Sequence, residues 1–248
     1  MTTMRVGCAG WAIPKQHAAL FAVDGSQLAR YASCFDAVEI NSSFYRAHRS
    51  TTYTRWATSV PGDFSFSIKV PKEITHLRKL VDTDDVLSTF LEEVQSLGPK
   101  CGPLLFQLPP GLQFDRHVAA TFFGSLRKMY LNAAVCEARH PSWFTGEASE
   151  VLKSFSISRV VADPAIMPSH PQQTSNQLMY YRLHGSPHMY YSNYTEGFLS
   201  SLIETMLTHR HVDTIWCIFD NTAAGCAVEN AHYLQEQLQL RLSGRSQQ

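Results

Sequence analysis

The 248-residue sequence predicts an α/β fold, a somewhat irregular TIM-like (β/α)8 barrel. Three observations predict it. Eight short, apolar, β-rich runs recur along the chain, segments of helical periodicity separate most of them, and the length is that of a barrel, about 250 residues. The competing architecture, an open doubly wound sheet, usually carries a Gly-rich phosphate turn after its first strand. Here that turn reads GCAGWAIP (7–14), which does not match G-x-G-x-x-G.

The strand runs are MRVGCAGW (4–11), AVEINSSFY (37–45), FSFSIKV (64–70), GPLLFQLP (102–109), AAVCEARH (133–140), RVVADP (159–164), LMYYRLHG (178–185) and TIWCIFDN (214–221). Between them, SQLARYASCF and the weaker STTYTRWATSV read as the first helices. The clearest helix is TDDVLSTFLEEVQSLG (83–98). Thr83 or Asp84 can cap it, acids fill its first turn, and Val86, Leu87, Phe90, Leu91, Val94 and Leu97 form one apolar stripe ending at Gly98. DRHVAATFFGSLRKMY, GEASEVLKSFS, TEGFLSSLIETMLTHR and CAVENAHYLQEQLQLRL complete the set. The crossover PAIMPSHPQQTSNQ (164–177) carries Pro164, Pro168 and Pro171, so no full helix is expected between strands six and seven. Residues 1–242 read as one domain and 243–248 as a frayed tail.

Composition excludes several classes. The chain is 44% hydrophobic and 17% charged, which supports a core and argues against disorder. Its 21 basic and 21 acidic residues cancel, so global charge gives no reason to expect nucleic acid or membrane, although a local basic patch stays open. Six cysteines without a C-x-x-C pair, no signal-peptide core and no apolar stretch of spanning length suggest a reduced, cytoplasmic protein.

Function is legible in where polar side chains interrupt these strands. Residues i and i+2 share a strand face. Glu39 therefore points with Asn41, Glu137 with Arg139, and Arg182 with His184, while Lys69 follows Ser65 and Ser67. Gln107, Asp163, Asp220 and Asn221 also lie toward the C-terminal ends of their strands, the face on which barrel enzymes assemble their sites. A plainer reading exists for each. Glu39 and Glu137 could pair with Lys69, Arg139 or Arg182 as a satisfied ionic plug, and Asn41 and Gln107 could tie down loops. Taken together they are harder to explain as packing, because buried polar groups cost several kcal/mol each unless paired, on the order of 2–7. Of the rim aromatics, Trp11 and Tyr45 stand out as stacking candidates.

Among the histidines, His184 is the leading acid–base candidate, and His76 lies with Arg78 and Lys79 where an anion could meet it. His140, His209 and His211 read as capping or helix-end residues. No motif for a nucleotide cofactor, zinc site or serine nucleophile is present. No metal ligand is assigned, but Asp163, Glu39, Glu137 and His184 could meet as a hard-cation site, so a divalent metal stays open. Lys69, Arg139 and Arg182 would converge on one opening, and the last βα turn enters a helix N-terminus, which together favour a small anionic ligand.

In order along the chain, GCAGW, YASCFDAVEINSSFYR, FSFSIKVPKEITH, LGPKCGPLLFQLPP, CEARHPSW, YYRLHG and FDNTAAGCAVENA resemble the YecE-like family, also called domain of unknown function 72. The resemblance runs from Val6 to about Leu238 and implies a TIM-barrel-like fold. It implies no reaction, because the family carries no assigned one. Glu39, Asn41, Tyr45, Lys69, His76, Gln107, Glu137, Arg139, Arg182, His184 and Asn221 match its polar motifs. The first βα loop and Asp220, where the family usually has Asn, depart from them.

The leading functional reading is an enzyme acting at the barrel mouth on a phosphate- or carboxylate-bearing substrate, by hydrolase or by lyase/isomerase chemistry. In it Glu39 or Glu137 is the base, His184 the acid, and Lys69, Arg139 and Arg182 hold the anion. Trp11, Asn41, Tyr45, His76, Gln107, Asp163 and Asn221 complete the expected binding set. Two alternatives stay open: binding or phosphoester hydrolysis on nucleic acid in a repair-like role, and a non-catalytic module that binds a metabolite.

Overall fold

The computed structural model describes residues 2–167, 177–209 and 212–245. Its strands are β1 (Thr3–Ala9), β2 (Ala37–Ile40), β3 (Ser65–Lys69), β4 (Cys101–Gln107), β5 (Ala134–Glu137), β6 (Ser158–Arg159), β7 (Val161–Asp163), β8 (Leu178–Leu183) and β9 (Thr214–Phe219). All pair in parallel, in the order β6-β5-β4-β3-β2-β1-β9-β8-β7. The two ends of that order are neighbours in sequence. Only Val160 separates β6 from β7, and its N–H donates to the Cys136 carbonyl at 3.0 Å. The run expected as strand six thus breaks into halves that pair to either side, and the sheet returns on itself as an irregular barrel.

The covering helices are α1 (Gln27–Tyr31), α2 (Ser50–Thr58), α3 (Asp84–Val94), α4 (Arg116–Met129), α5 (Gly146–Ser154), α6 (Glu196–Thr208) and α7 (Cys226–Arg245). Short polar side chains start several of them: Ser26, Asp115, Thr145 and Thr195 each accept from the backbone N–H three residues on. Helix α3 lacks such a side-chain cap, and Asp84 and Asp85 in its first turn serve the exposed N–H groups instead. His209 is the C-cap of α6, whereas His211 lies outside the described residues. Of the crossover 164–177, residues 164–167 and 177 carry no helix, and Pro168 and Pro171 lie outside the described residues.

Strand alternation separates two cores. Val38, Ile40, Phe66, Ile68, Leu104, Phe106, Met179, Tyr181 and Phe219 face the helices in one large cluster. Ala37, Leu105, Val135, Val160, Leu178, Tyr180, Trp216 and Ile218 fill the barrel interior in a smaller one. Tyr180 and Trp216 are register partners and stack at 6.1 Å between centroids. The glycine that opens GCAGW has a steric cause: a Cβ on Gly7 would lie 2.0 Å from the Ala37 carbonyl oxygen. Because aliphatic and aromatic side chains fill the middle of the interior, charged residues of the inward faces collect at the strand ends, Arg5 at the N-terminal end and the larger set at the C-terminal ends.

Candidate active site at the barrel mouth

Above the apolar plug, the inward positions of five strands carry charge. Arg182 on β8 lies at the centre, fully buried. Its Nε donates to Glu39 Oε2 at 3.0 Å, its Nη1 to Glu137 Oε2 at 3.1 Å, and its Nη2 to Glu39 Oε1 at 2.8 Å and Asp220 Oδ2 at 2.9 Å. Glu39 also accepts from the Tyr180 hydroxyl at 2.9 Å, one layer below. Its two oxygens are thus directed at Arg182 and Tyr180, and the carboxylate forms the floor of the site.

His184 follows two residues after Arg182, buried on the same face. Nε2 lies 2.9 Å from Glu137 Oε1, and Nδ1 lies 3.0 Å from Asp220 Oδ2. Carboxylates at both ring nitrogens favour the imidazolium, while Arg139 Nη2 at 3.3 Å and Arg182 Nη1 at 3.4 Å from Nε2 oppose it. Burial alone would lower the pKa of His184, but Glu137 and the hydrogen bonds from Asp220 and Glu137 outweigh it and raise it. Burial likewise works to raise both carboxyls. Arg182, with His184 and Arg139, holds Glu137 well below the usual carboxylate range, and Arg182 with His184 lowers Asp220. Arg139 Nε completes the layer at 3.0 Å from Glu137 Oε1, and Gln107 Nε2 donates to the same oxygen at 3.3 Å.

Charge in this layer nearly closes on itself. Three carboxylates, Glu39, Glu137 and Asp220, face Arg182, Arg139 and His184, and the count closes when His184 is protonated. Lys69 is the remainder. It is only 5% exposed, and among the described residues its Nζ makes no hydrogen bond or ion pair. The ammonium stands 4.1 Å over the Phe44 ring. Phe44 is placed there by Ser43, whose hydroxyl donates to the Lys69 carbonyl at 2.6 Å and pins the turn after β2 to the end of β3. Burial, then Arg182, lowers the Lys69 pKa, with Glu39, Asp220 and Glu137 pulling the other way; the balance is about 8.

Over this layer opens a pocket of about 430 Å³, lined by Tyr45, Lys69, His76, Gln107, Arg139 and Tyr190 among others. His76 stacks its ring edge-on to Phe44 at 4.9 Å, and its Nδ1 lies 2.9 Å from the Thr75 hydroxyl. Burial, then Lys69, lowers its pKa, so it is a neutral imidazole near pH 7. Tyr190 crosses edge-on above the His184 ring at 5.9 Å and closes it off from the pocket.

Of the sequence-predicted residues, Tyr45, Lys69, His76, Gln107 and Arg139 therefore line the open pocket, and Glu39, Glu137, Arg182 and His184 form the buried layer beneath. Four are placed elsewhere. Trp11 packs edge-on against Trp56 at 5.1 Å, and Asn41 starts the turn after β2 with a buried Oδ1 that has no partner. Asp163 shares the outward face of Val161 and accepts from the Tyr194 hydroxyl at 2.7 Å. Asn221 shares the outward face of Phe219 and donates to the Ser192 carbonyl and to Asn230 Oδ1, both at 2.9 Å. These last two tie loops to helices, and they do not meet the convergent cluster. The cluster in turn contains Asp220 and Tyr180, absent from the expected set; both share strand faces with inward residues, Ile218 and Arg182.

Among the described residues no group of three or more His, Cys, Asp and Glu side chains is placed to hold a metal. Glu137 and Asp220 bracket opposite edges of the His184 ring, which keeps the three from converging on one point. All six cysteines are free thiols, and no described helix is long and apolar enough to cross a membrane. A second pocket, about 410 Å³, opens at the opposite end of the barrel, lined by Arg5, Arg127 and Trp216. Its guanidiniums are committed to the chain itself, Arg127 to the carbonyls of Phe155, Tyr130, Asn132 and Ser156, and Arg5 to Asp36 and the Asp63 carbonyl. That end is built for stability.

Comparison with known proteins agrees with this geometry. The family model for "Protein of unknown function DUF72" matches residues 5–248. The protein YecE of Escherichia coli K12 is 30% identical over 143 residues, 56% of this chain. The chain spans about half the length of that relative, 52%. A DUF72 family protein from Thermotoga maritima superposes with a TM-score of 0.81 at 24% identity, over 96% of this chain and 99% of the other. The barrel itself is shared more widely: an AP endonuclease of family 2 from Brucella melitensis gives a TM-score of 0.54 at 11% identity, over 95% and 99% of the two chains. The family model covers almost the whole chain and the fold agrees, so the chain belongs to the DUF72 family.

Proposed function

We propose that the mouth of the barrel is an active site for a small substrate carrying a carboxylate or phosphate. One observation carries the reading: with His184 protonated the buried layer is electrically balanced without Lys69, and Lys69 faces an open pocket with no hydrogen-bond or ion-pair partner among the described residues. An anionic group entering beside Lys69 and Arg139 completes that charge balance. Arg182 has a different task from the one expected of it. Its guanidinium holds the three carboxylates, so Lys69 and Arg139 meet the substrate. Glu39, locked in the floor, is a positioning residue, and Glu137 with His184 stores a proton directly behind the Arg139 contact.

The test is a thermal-shift panel of sugar phosphates, small carboxylates, nucleotides and short oligonucleotides on wild type and Lys69→Met. A ligand at about 100 times its Kd adds about 2.7 kcal/mol, which raises the Tm of a chain this size by roughly 5–10 °C. The expected result is a shift with small anions in wild type that disappears in the variant. A shift that Lys69→Met retains would place the ligand elsewhere. A response confined to oligonucleotides, steeply weakened by salt, would move the site to nucleic acid.

A further inference from the structure

We propose that Lys69 is a nucleophilic amine that forms a Schiff base with a small aldehyde or ketone, the carboxylate or phosphate of that molecule docking beside Arg139. The inference rests on the mouth being a ligand site, and adds to it a covalent step and a substrate class.

A second lysine in the same chain shows what a structural one looks like. Lys100, also partly buried, donates from Nζ to the Ala57 carbonyl at 2.6 Å and the Val60 carbonyl at 2.7 Å. Lys69 is more deeply placed and has no such acceptor among the described residues; its ammonium lies against the aromatic face of Phe44. Desolvation and the nearby guanidinium of Arg182 lower its pKa, so that Lys69, still mostly charged near pH 7 and able to draw in an anion, also offers a fraction of the neutral amine that attacks carbonyls. With a pKa of about 8, about a tenth of Lys69 is uncharged at pH 7. The 430 Å³ pocket in front of it is the size of a small-metabolite site.

His76 supplies the proton traffic. It lines the same pocket, lies close enough to Lys69 for each charge to affect the other, and is neutral near pH 7. In the first step the Lys69 nitrogen lone pair attacks the carbonyl carbon and the C–O π pair moves to oxygen. The oxygen takes a proton from that nitrogen, giving a carbinolamine, while His76 holds the proton that the Lys69 ammonium gave up before the attack. In the second step His76, now an imidazolium, returns its proton to that hydroxyl, which leaves as water while the nitrogen lone pair forms the C=N bond. One water is released and the iminium keeps the positive charge of the lysine, so the charge balance of the buried layer is unchanged.

The experiment is reductive trapping on the full chain with sodium cyanoborohydride. The probes are pyruvate, glyoxylate and dihydroxyacetone phosphate, with acetaldehyde as the carbonyl lacking an anion. Intact mass and peptide mapping read the product. The expected result is one adduct per chain, on Lys69, formed more than about tenfold faster than on any other lysine because far more of it is uncharged near neutrality. Anionic probes should outpace acetaldehyde. Lys69→Arg, which keeps the charge, should lose the adduct while circular dichroism shows it folded. Should that variant not fold, the mapped distribution over the lysines of wild type decides the matter alone. Adducts spread evenly over surface lysines, or no adduct on Lys69, overturn the proposal. If small anions still shift the Tm in a Lys69-dependent way, the covalent step fails and the anion site stands; if that shift is absent too, both fail.

Discussion

Replacing Arg182 with Met is the most searching test of the buried layer. The substitution keeps the length and apolar stem of the side chain, and it removes the hydrogen-bond donors that reach Glu39, Glu137 and Asp220. Taking away one partner of a buried ion pair costs about 3–5 kcal/mol, because the other is left charged in a poor solvent. With three carboxylates on one guanidinium, the upper end of that range applies. At an m-value of about 3 kcal/mol per M, the urea midpoint falls by about 1–2 M. The sign with pH is distinctive. In wild type, Glu137 and Asp220 have depressed pKa values, so their contribution is present above the unfolded value near 4 and is lost only as pH falls through the folded one. In the variant Glu137 keeps Arg139 and His184 and Asp220 keeps His184, but both lose their strongest cation while still buried, so their pKa values rise and the variant falls further behind as pH rises. The gap between the two proteins should therefore be small at pH 5 and widest at pH 8. Urea unfolding followed by circular dichroism at both pH values measures it. A gap of 1 kcal/mol or less, equal at pH 5 and 8, would refute a layer held together by Arg182.

Two further outcomes follow from the geometry. Gly7→Ala places a methyl 2.0 Å from the Ala37 carbonyl and forces β1 away from β2, so a loss of at least about 1–3 kcal/mol is expected in urea unfolding; an unchanged midpoint would mean that the two strands are further apart. His184 should titrate above its ordinary value of about 6.5 in a histidine NMR titration, and Asp220→Asn should bring it down. Since a raised pKa contributes stability below the unfolded value and loses it as pH rises through the folded one, His184→Asn should cost more at pH 6 than at pH 9. Equal costs at both would show a neutral, structural histidine.

Much of the barrel is legible in the chain because its signals are local. Helical stripes such as Leu87, Phe90, Leu91 and Val94 depend on residues about one turn apart, whereas the cap expected from Thr83 does not form. Strand parity is local as well, which is why Glu39, Glu137, Lys69 and Arg182 could be grouped before any contact was known. Parity alone does not say which face is inside when both faces are apolar, as in parallel strands buried on each side. Asp163 and Asn221 show the consequence. Their place near strand ends suggested the mouth, yet they share faces with Val161 and Phe219, which pack outward against helices. Asp220, one residue away on the other face, is the group that meets His184.

From the sequence come eight strand runs, one of which the fold splits in two, the helices that cover them and the list of charged side chains with a common direction. Tertiary structure alone decides how those charges are shared. Glu39 and Arg182 stand 143 residues apart and meet only because β2 and β8 face each other across a closed barrel. Closure places Arg182 at the centre, where it satisfies three carboxylates, and leaves Lys69 facing the pocket with no ion-pair partner among the described residues. No local pattern encodes that difference, since both are single cations on inward strand faces; it arises from the three-dimensional order of the strands and the low dielectric they enclose.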